Sequence, residues 1–560
     1  MLNADWSDPD VIRVGDDFYL VASSFHRVPG LPILHSRDLV AWSVIGHALA
    51  RLEPEEDFRT PRPGCGVWAP AVRHHDGRFW IFYPDPDRGI FVVTATDPAG
   101  PWSRPRLLKG GRGLIDPCPL WDGDGSAYLV HAWAKSRAGF NNRLTAHRMS
   151  PDGTEVLDEG RVVVDGDALP GYRTLEGPKW YRRDGWYWIF APAGGVATGW
   201  QSVFRSRDVF GPYEDRIVLA QGATPVNGPH QGAWVTTAAG EDWFLHFQDR
   251  GPFGRVVHLQ PMRWRAGEWP GIGAQGRGGT GEPVPGHARP RVRAAPPRST
   301  PKTDDASPAW PAGTAGLAGL DGGAGFAGEP GLQWTWAANP RPGWSAPRPG
   351  GGLRLACVPA DGGDLRQLPN VLGWRLPADK FRATVTLRLT GAAVGARAGL
   401  TVLGATYAWI GVVRTVDGAV LVHRTAAAGE SEVDAAPPVA VPLEPAPLET
   451  APLETAPLET LPLDDGATAS SSGGATASSD DSTPASSGEG TPAPSDQGAT
   501  VAVILGVDVH PDGTCQFRAG TEPVGPPFAA TPGRWVGATL GIFATGPSGA
   551  ADFSAPRITG

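Results

Sequence analysis

One pattern restricts the fold more than any other. Five times in the first half of the chain a tight polar turn is followed by a short aromatic and apolar run: Phe18-Tyr19-Leu20-Val21, Phe79-Trp80-Ile81-Phe82, Tyr128-Leu129-Val130, Tyr187-Trp188-Ile189-Phe190 and Trp243-Phe244-Leu245. Superposing Tyr19, Trp80, Tyr128, Trp188 and Phe244 gives separations of 61, 48, 60 and 56 residues. Recurrence at a few tens of residues marks propellers and solenoids, and blades commonly take roughly 40 to 50 residues. The turns before these runs, Gly15-Asp16, Asp76-Gly77, Asp124-Gly125, Asp184-Gly185 and Gly240-Glu241, are hairpin chemistry. Further short strands follow each hairpin. Four strands in each of five units predict a five-bladed β-propeller, with a β-sandwich of irregular hairpins as the alternative.

The same phase points to a site. Counting back 11 to 14 residues from each aligned aromatic reaches Asp8-Pro9, Ala69-Pro70, Asp116-Pro117, Glu176-Gly177-Pro178 and His230-Gln231-Gly232. Innermost propeller strands line the axis, so residues at equivalent positions converge although far apart in sequence. Asp8, Asp116, Glu176 and His230 are thereby expected in one axial pocket. Carboxylates crowded together cannot all ionise freely, and their pKa values separate into an acid and a base. Glycoside hydrolysis needs that pair, one group to protonate the leaving oxygen and one to activate water. Phe25, Trp68 and Trp200 are the aromatics expected to offer a sugar ring a stacking face.

Other carboxylates near Asp8, namely Asp5, Asp10, Asp16 and Asp17, are out of phase and read as turn or surface groups. Trp80, Trp186 and Trp188 alternate within strands and read as blade core. His74-His75 lacks partners at zinc spacing and reads as a solvated turn.

At this point the motifs resemble a known family. Asp8-Pro9-Asp10-Val11-Ile12-Arg13, Trp68-Ala69-Pro70, Ile115-Asp116-Pro117, Glu176-Gly177-Pro178 and Gly254-Arg255 together are similar to glycoside hydrolase family 43 over about residues 1–275. The resemblance implies an inverting, exo-acting β-xylosidase, or an α-L-arabinofuranosidase. It implies Asp8 as general base, Glu176 as general acid and Asp116 as the group that tunes and orients the acid. Arg255 and His230 would contact substrate, His230 lying on the axis, where a structural calcium is an option; no cofactor is required. Cys118 stands where the family often has a small polar residue. A lectin-like propeller without turnover is the reading from another class, and a retaining fructoside hydrolase lacks its opening motif here.

Composition supports this picture where it bears on partners. The chain has 560 residues, 76 Gly, 58 Pro and 22 Trp against 3 Met, which favours turn-rich β architecture because helix interiors penalise Gly and Pro. A net charge of −9 argues against nucleic acid, whose phosphates demand a basic face. An oligosaccharide is the expected partner, a membrane is not, and a homo-oligomer is compatible with the sequence. The start, Met1-Leu2-Asn3-Ala4-Asp5-Trp6, carries neither a basic nor an apolar leader region, so a cytoplasmic location is expected. Four dispersed cysteines are expected as free thiols.

Beyond Trp264 the repeat ends. Residues 276–328 read as a Gly/Pro-rich linker. Residues 329–560 show strand alternation typical of a β-sandwich, with strands expected at Leu332 to Trp336, Leu353 to Val358, Phe381 to Leu389, Ala408 to Arg414, Ala419 to His423, Thr500 to Asp508 and Gly533 to Gly537. This part resembles the concanavalin-A-like domain that packs on the propeller in many family members and walls one side of the pocket. A low-complexity insert at about 435–500, including three Ala-Pro-Leu-Glu-Thr repeats, lacks the apolar content to order itself and interrupts the sandwich.

Overall fold

The computed structural model describes residues 1–292, 330–348, 351–360, 363–442, 444–445 and 499–560. The most polar part of the insert, 446–498, and most of the expected linker, 293–329, lie outside the described residues.

The first half forms five antiparallel sheets. Blade I is Asp10–Val14, Asp17–Val21, Gly30–Ser36 and Ser43–Leu49; blade II is Ala71–His75, Arg78–Asp85, Gly89–Ala95 and Arg106–Gly110. Blade III is Leu114–Trp121, Ala127–Trp133, Arg143–Met149 and Arg161–Asp165; blade IV is Lys179–Arg183, Trp186–Ala193, Trp200–Ser206 and Glu214–Ala220. Blade V is His230–Thr236, Asp242–Asp249, Arg255–Arg263 and Gly271–Ile272. The hairpins at Asp76-Gly77 and Asp184-Gly185 have positive φ at both turn residues. That is the backbone a two-residue primed turn requires, and Asp-Gly tolerates it. The aromatic second strands fill the space between blades: Trp188 is buried and meets Trp264 edge-on at 4.9 Å.

The ring is closed by its own start. Leu2 exchanges backbone hydrogen bonds with Val257, and the Trp6 amide donates to the Arg255 carbonyl, so the N-terminal segment runs along a strand of the last blade. Part of the expected linker is blade material: Gly281–Glu282 pairs with the outer strand of blade IV, and the Arg291 amide donates to Glu241.

The second half is a sandwich of two sheets. Phe381–Thr390 pairs over its whole length with Ala499–Val509, so strands before and after the insert share one sheet. Its burial alternates residue by residue, with Phe381, Ala383, Val385, Leu387 and Leu389 turned to the core. Gly533 to Gly537, expected as a strand, is instead a loop before Thr539–Thr545. The interface between the halves combines apolar contact, with Phe253 of the last blade buried in the sandwich core, and specific hydrogen bonds. Val28 and Trp336 exchange backbone hydrogen bonds, the Asn339 side chain bonds both backbone groups of Leu52, and Arg375 donates to the Asp5 carbonyl.

Candidate active site

The strand register shows why the acids meet. Ile12, Arg73, Leu120, Tyr181 and Trp234 each pair with the aligned aromatic of the neighbouring strand. Four residues before them stand Asp8, Ala69, Asp116, Gly177 and His230. Gly177, not Glu176, is therefore the strict equivalent of Asp8 and Asp116. All three precede proline and adopt positive φ, 56° at Asp8, 56° at Asp116 and 61° at Gly177. Such backbone is costly for aspartate and free for glycine, and it clusters at functional sites. Glu176 precedes this position by one residue.

These residues share a cavity of about 300 Å³ at one end of the axis, lined among others by Asp8, Phe25, Trp68, Asp116, Glu176, His230 and Arg255. Asp8 is buried. Its Oδ1 lies 3.0 Å from Arg255 Nη1 and its Oδ2 accepts from Ser23 Oγ at 2.5 Å. Asp116 is buried, and its Oδ2 accepts from the Gly177 amide at 2.7 Å and from Gln231 Nε2 at 3.5 Å. The Asp116–Gly177 bond ties the third carboxylate to the backbone that carries Glu176. Glu176 is the most accessible of the three, its side chain 21% exposed, with Oε1 3.5 Å from His230 Nε2.

Burial dominates the electrostatics. It pushes the Glu176 carboxyl up to about 8, helped by the charges of Asp116 and Asp8 and opposed by Arg255. Burial and the Asp8 charge also raise Asp116, to about 7, against the Gly177 amide and the buried Lys179. His230 is driven down to about 3 by burial and Arg255, so its imidazole is neutral beside Glu176. Both its ring nitrogens lack a hydrogen-bond partner in the described structure. One imidazole and one carboxylate oxygen do not make the six to eight oxygen ligands calcium takes, and among the described residues no cluster of three or more His, Cys, Asp or Glu is arranged around a metal. The residues at His230 therefore do not fit a calcium held by protein groups.

Comparison with known proteins now decides the family. Residues 1–270 match the family described as glycosyl hydrolases family 43, and residues 326–449 match the β-xylosidase C-terminal concanavalin-A-like domain. A putative β-xylosidase of Xylanibacter ruminicola is 40% identical over 72% of this chain and 71% of its own. A β-xylosidase of Formosa agariphila is 32% identical over 70% of this chain and 68% of its own. The chain belongs to glycosyl hydrolase family 43.

A non-reducing-end α-L-arabinofuranosidase of Bacteroides ovatus is 33% identical over 48% of this chain and 52% of its own. Among solved structures, the xylan β-1,4-xylosidase of Bacillus halodurans superposes over 100% of this chain and 99% of its own, with a TM-score of 0.73 at 21% identity. At that identity it shows the fold, propeller and sandwich together. This family 43 chain is thus a glycoside hydrolase that needs no cofactor for catalysis.

Several residues of this family 43 enzyme escaped the sequence reading. Trp535, from the sandwich loop, lines the cavity and meets Trp68 edge-on at 4.6 Å. Trp133 also lines it, whereas Trp200 does not; Trp200 packs on Tyr172. Asn142 holds the Leu175 amide at 2.9 Å and Asp167 at 2.8 Å, fixing the segment before Glu176. Asp10 is fully buried, paired with Arg73 and accepting from the Val72 amide, both at 2.8 Å. Asp5 is half-buried at the junction of the halves: Oδ1 accepts from the Arg255 amide at 2.9 Å and Oδ2 from the Gly537 amide at 2.8 Å. Both correct the surface reading given to them. His75 ends a strand and stacks on Trp121 at 4.4 Å, so it is no free turn.

Proposed function

We propose that this enzyme is an inverting exo-β-xylosidase that releases terminal D-xylose from xylo-oligosaccharides by single displacement. The observation that carries it is the environment of the three acids: Glu176, pushed up to about 8, remains protonated at neutral pH, while Asp8 is clamped by Arg255 and Ser23. Glu176 is the general acid, delivering its proton to the glycosidic oxygen. Asp8 is the general base, taking a proton from the water that attacks the anomeric carbon from the opposite face. The new C–O bond forms as the glycosidic bond breaks, inverting configuration. Asp116 tunes Glu176 through its charge and fixes it through the Gly177 amide. Arg255, which touches Asp8, also faces the cavity and binds substrate, and Phe25, Trp68 and Trp535 form the apolar wall for the sugar.

Xylose is preferred because the relatives matched over more than two thirds of their length are named β-xylosidases. The match to an arabinofuranosidase supports L-arabinofuranose as the second reading. Substrates of this size suit a cytoplasmic enzyme fed by imported oligosaccharides, tested by locating the native protein in cell fractions.

The test is hydrolysis of aryl β-D-xyloside and aryl α-L-arabinofuranoside followed by NMR. Inversion with faster turnover of the xyloside is expected; retention overturns the mechanism, and preference for the furanoside overturns the specificity. Asp8→Asn is expected to lose at least about 10³-fold in kcat, since general base catalysis alone contributes roughly 10² to 10⁴ and no substitute base is present.

A further inference from the structure

Two residues further along the innermost strands a second set of equivalents follows the catalytic one: Asp10, Ala71, Cys118, Lys179 and Gly232. The three polar members are fully buried. Lys179 reaches from blade IV to blade II, where its Nζ donates to the Pro70 carbonyl at 2.8 Å. Arg73 reaches from blade II to Asp10 of blade I and to the Cys118 sulfur of blade III, both at 2.8 Å. The lysine is an unusual choice for this chain. Of its 49 Lys and Arg residues only Lys109, Lys135, Lys179, Lys302 and Lys380 are lysines, and of the four described only Lys179 is buried. A guanidinium would bring five fixed donors into this interior, whereas the ammonium is a compact point charge on a slim stem.

Counting charge in the two layers shows what the lysine balances. There are four carboxyl groups, Asp8, Asp10, Asp116 and Glu176, and three cations. Arg255 pairs with Asp8 at 3.0 Å and Arg73 with Asp10 at 2.8 Å. Among the described residues Lys179 has no ion pair, and its one hydrogen bond goes to a neutral carbonyl. Asp116 has no ion pair there either; it accepts from Gln231 and from the amide of Gly177, two residues before Lys179. The two charges act on each other, Lys179 opposing the rise that burial imposes on Asp116. Cys118, on which Arg73 and Lys179 also act, stays a neutral thiol because burial pushes it up, and His230 is neutral as well. Glu176 is left without a cation of its own, since the Arg255 that acts on it is bound to Asp8. A fourth buried negative charge would be uncompensated, and such a group takes up a proton instead.

We propose that Lys179 is a positioning residue for the catalytic proton: it is the counter-charge that keeps Asp116 ionised, so that three cations serve three aspartates and the proton is left on Glu176. The inference rests on the roles given above to Asp116 and Glu176 and adds the group that makes them differ.

The experiment is the pH profile of kcat/KM on xylobiose for the parent, Asp116→Asn, Lys179→Met and the double variant. Without the ammonium, Asp116 takes up the proton, its charge no longer supports Glu176, and the acid ionises sooner. The alkaline limb of Lys179→Met is therefore expected to move to lower pH by about one unit, toward that of Asp116→Asn. Adding Lys179→Met to Asp116→Asn is expected to move it no further. A lysine acting on Glu176 directly would give the opposite sign, because removing a cation raises a neighbouring acid. A limb that stays in place or moves to higher pH in Lys179→Met overturns the proposal, and so does a loss of kcat or heat stability with the limb unmoved, which marks a purely structural lysine. If Asp116→Asn also leaves the limb in place, the role of Asp116 falls and this inference with it; if Asp116→Asn moves the limb and Lys179→Met does not, this inference alone falls. Should Lys179→Met not fold, ¹³C NMR of the lysine ε-carbons in the unaltered chain decides. Every lysine is expected to remain an ammonium up to pH 9, and a lysine that is neutral below that pH overturns the proposal.

Discussion

At the residue scale the decisive relation is between Glu176 and its neighbour Gly177. A glycine takes the strained position that aspartate takes in blades I and III, and its amide is then free to donate to Asp116. Glu176→Gln should cut kcat on alkyl or sugar xylosides by roughly 10²- to 10⁴-fold, with much less loss on aryl xylosides whose leaving groups need no proton. The same variant should be more heat-stable than the parent above pH 5, by a margin that grows as pH rises toward 8. The folded-state pKa lies above the unfolded one, so the folded protein holds a proton the unfolded chain has released, and stability falls as pH climbs through that window. Glutamine removes this dependence, and melting curves at pH 5, 7 and 9 measure it. Because the Asp116 charge helps to raise Glu176, Asp116→Asn should shift the alkaline limb of kcat/KM to lower pH, read from a pH–rate profile.

At the element scale, the innermost strands were legible and the loops were not. Asp8, Asp116 and His230 could be found because a hairpin repeat fixes their distance from a recurring aromatic, fully buried at Phe244 and partly buried at Tyr19 and Tyr128. Glu176 was found with its partners, although its true phase is one residue off, a shift that counting on sequence alone absorbs. Trp535 gave no such signal. It sits in an irregular loop with φ of 62°, and what places it is contact with residues over 500 positions earlier, such as Ser7. Asp5 and Asp10 were misjudged for a related reason: a carboxylate accepting backbone amides across a junction looks, in sequence, like any turn aspartate. Trp535→Ala should raise KM for xylobiose about tenfold, equivalent to ~1.4 kcal/mol of lost stacking, with kcat changed far less. Steady-state kinetics separate the two.

At the scale of the whole molecule, the two halves act as one site. Asp5 receives one amide from the last blade and one from the sandwich loop, at the point where that loop turns toward the cavity. Asp5→Asn keeps the size but gives up one of the two acceptors, so it should destabilise the protein by about 1–3 kcal/mol and raise KM through a loosened Trp535 wall. Calorimetry with parallel kinetics checks both effects.

The clasp by which Leu2 pairs with Val257 sets the order in which competence can arise. Asp8 and its guanidinium partner Arg255 belong to opposite ends of the ring and meet only where those ends are joined. During synthesis the base precedes its partner by 247 residues, and it waits for all of them to emerge. A nascent or truncated chain that stops within the first four blades is therefore catalytically silent, and the appearance of turnover during translation would time the moment the ring snaps shut.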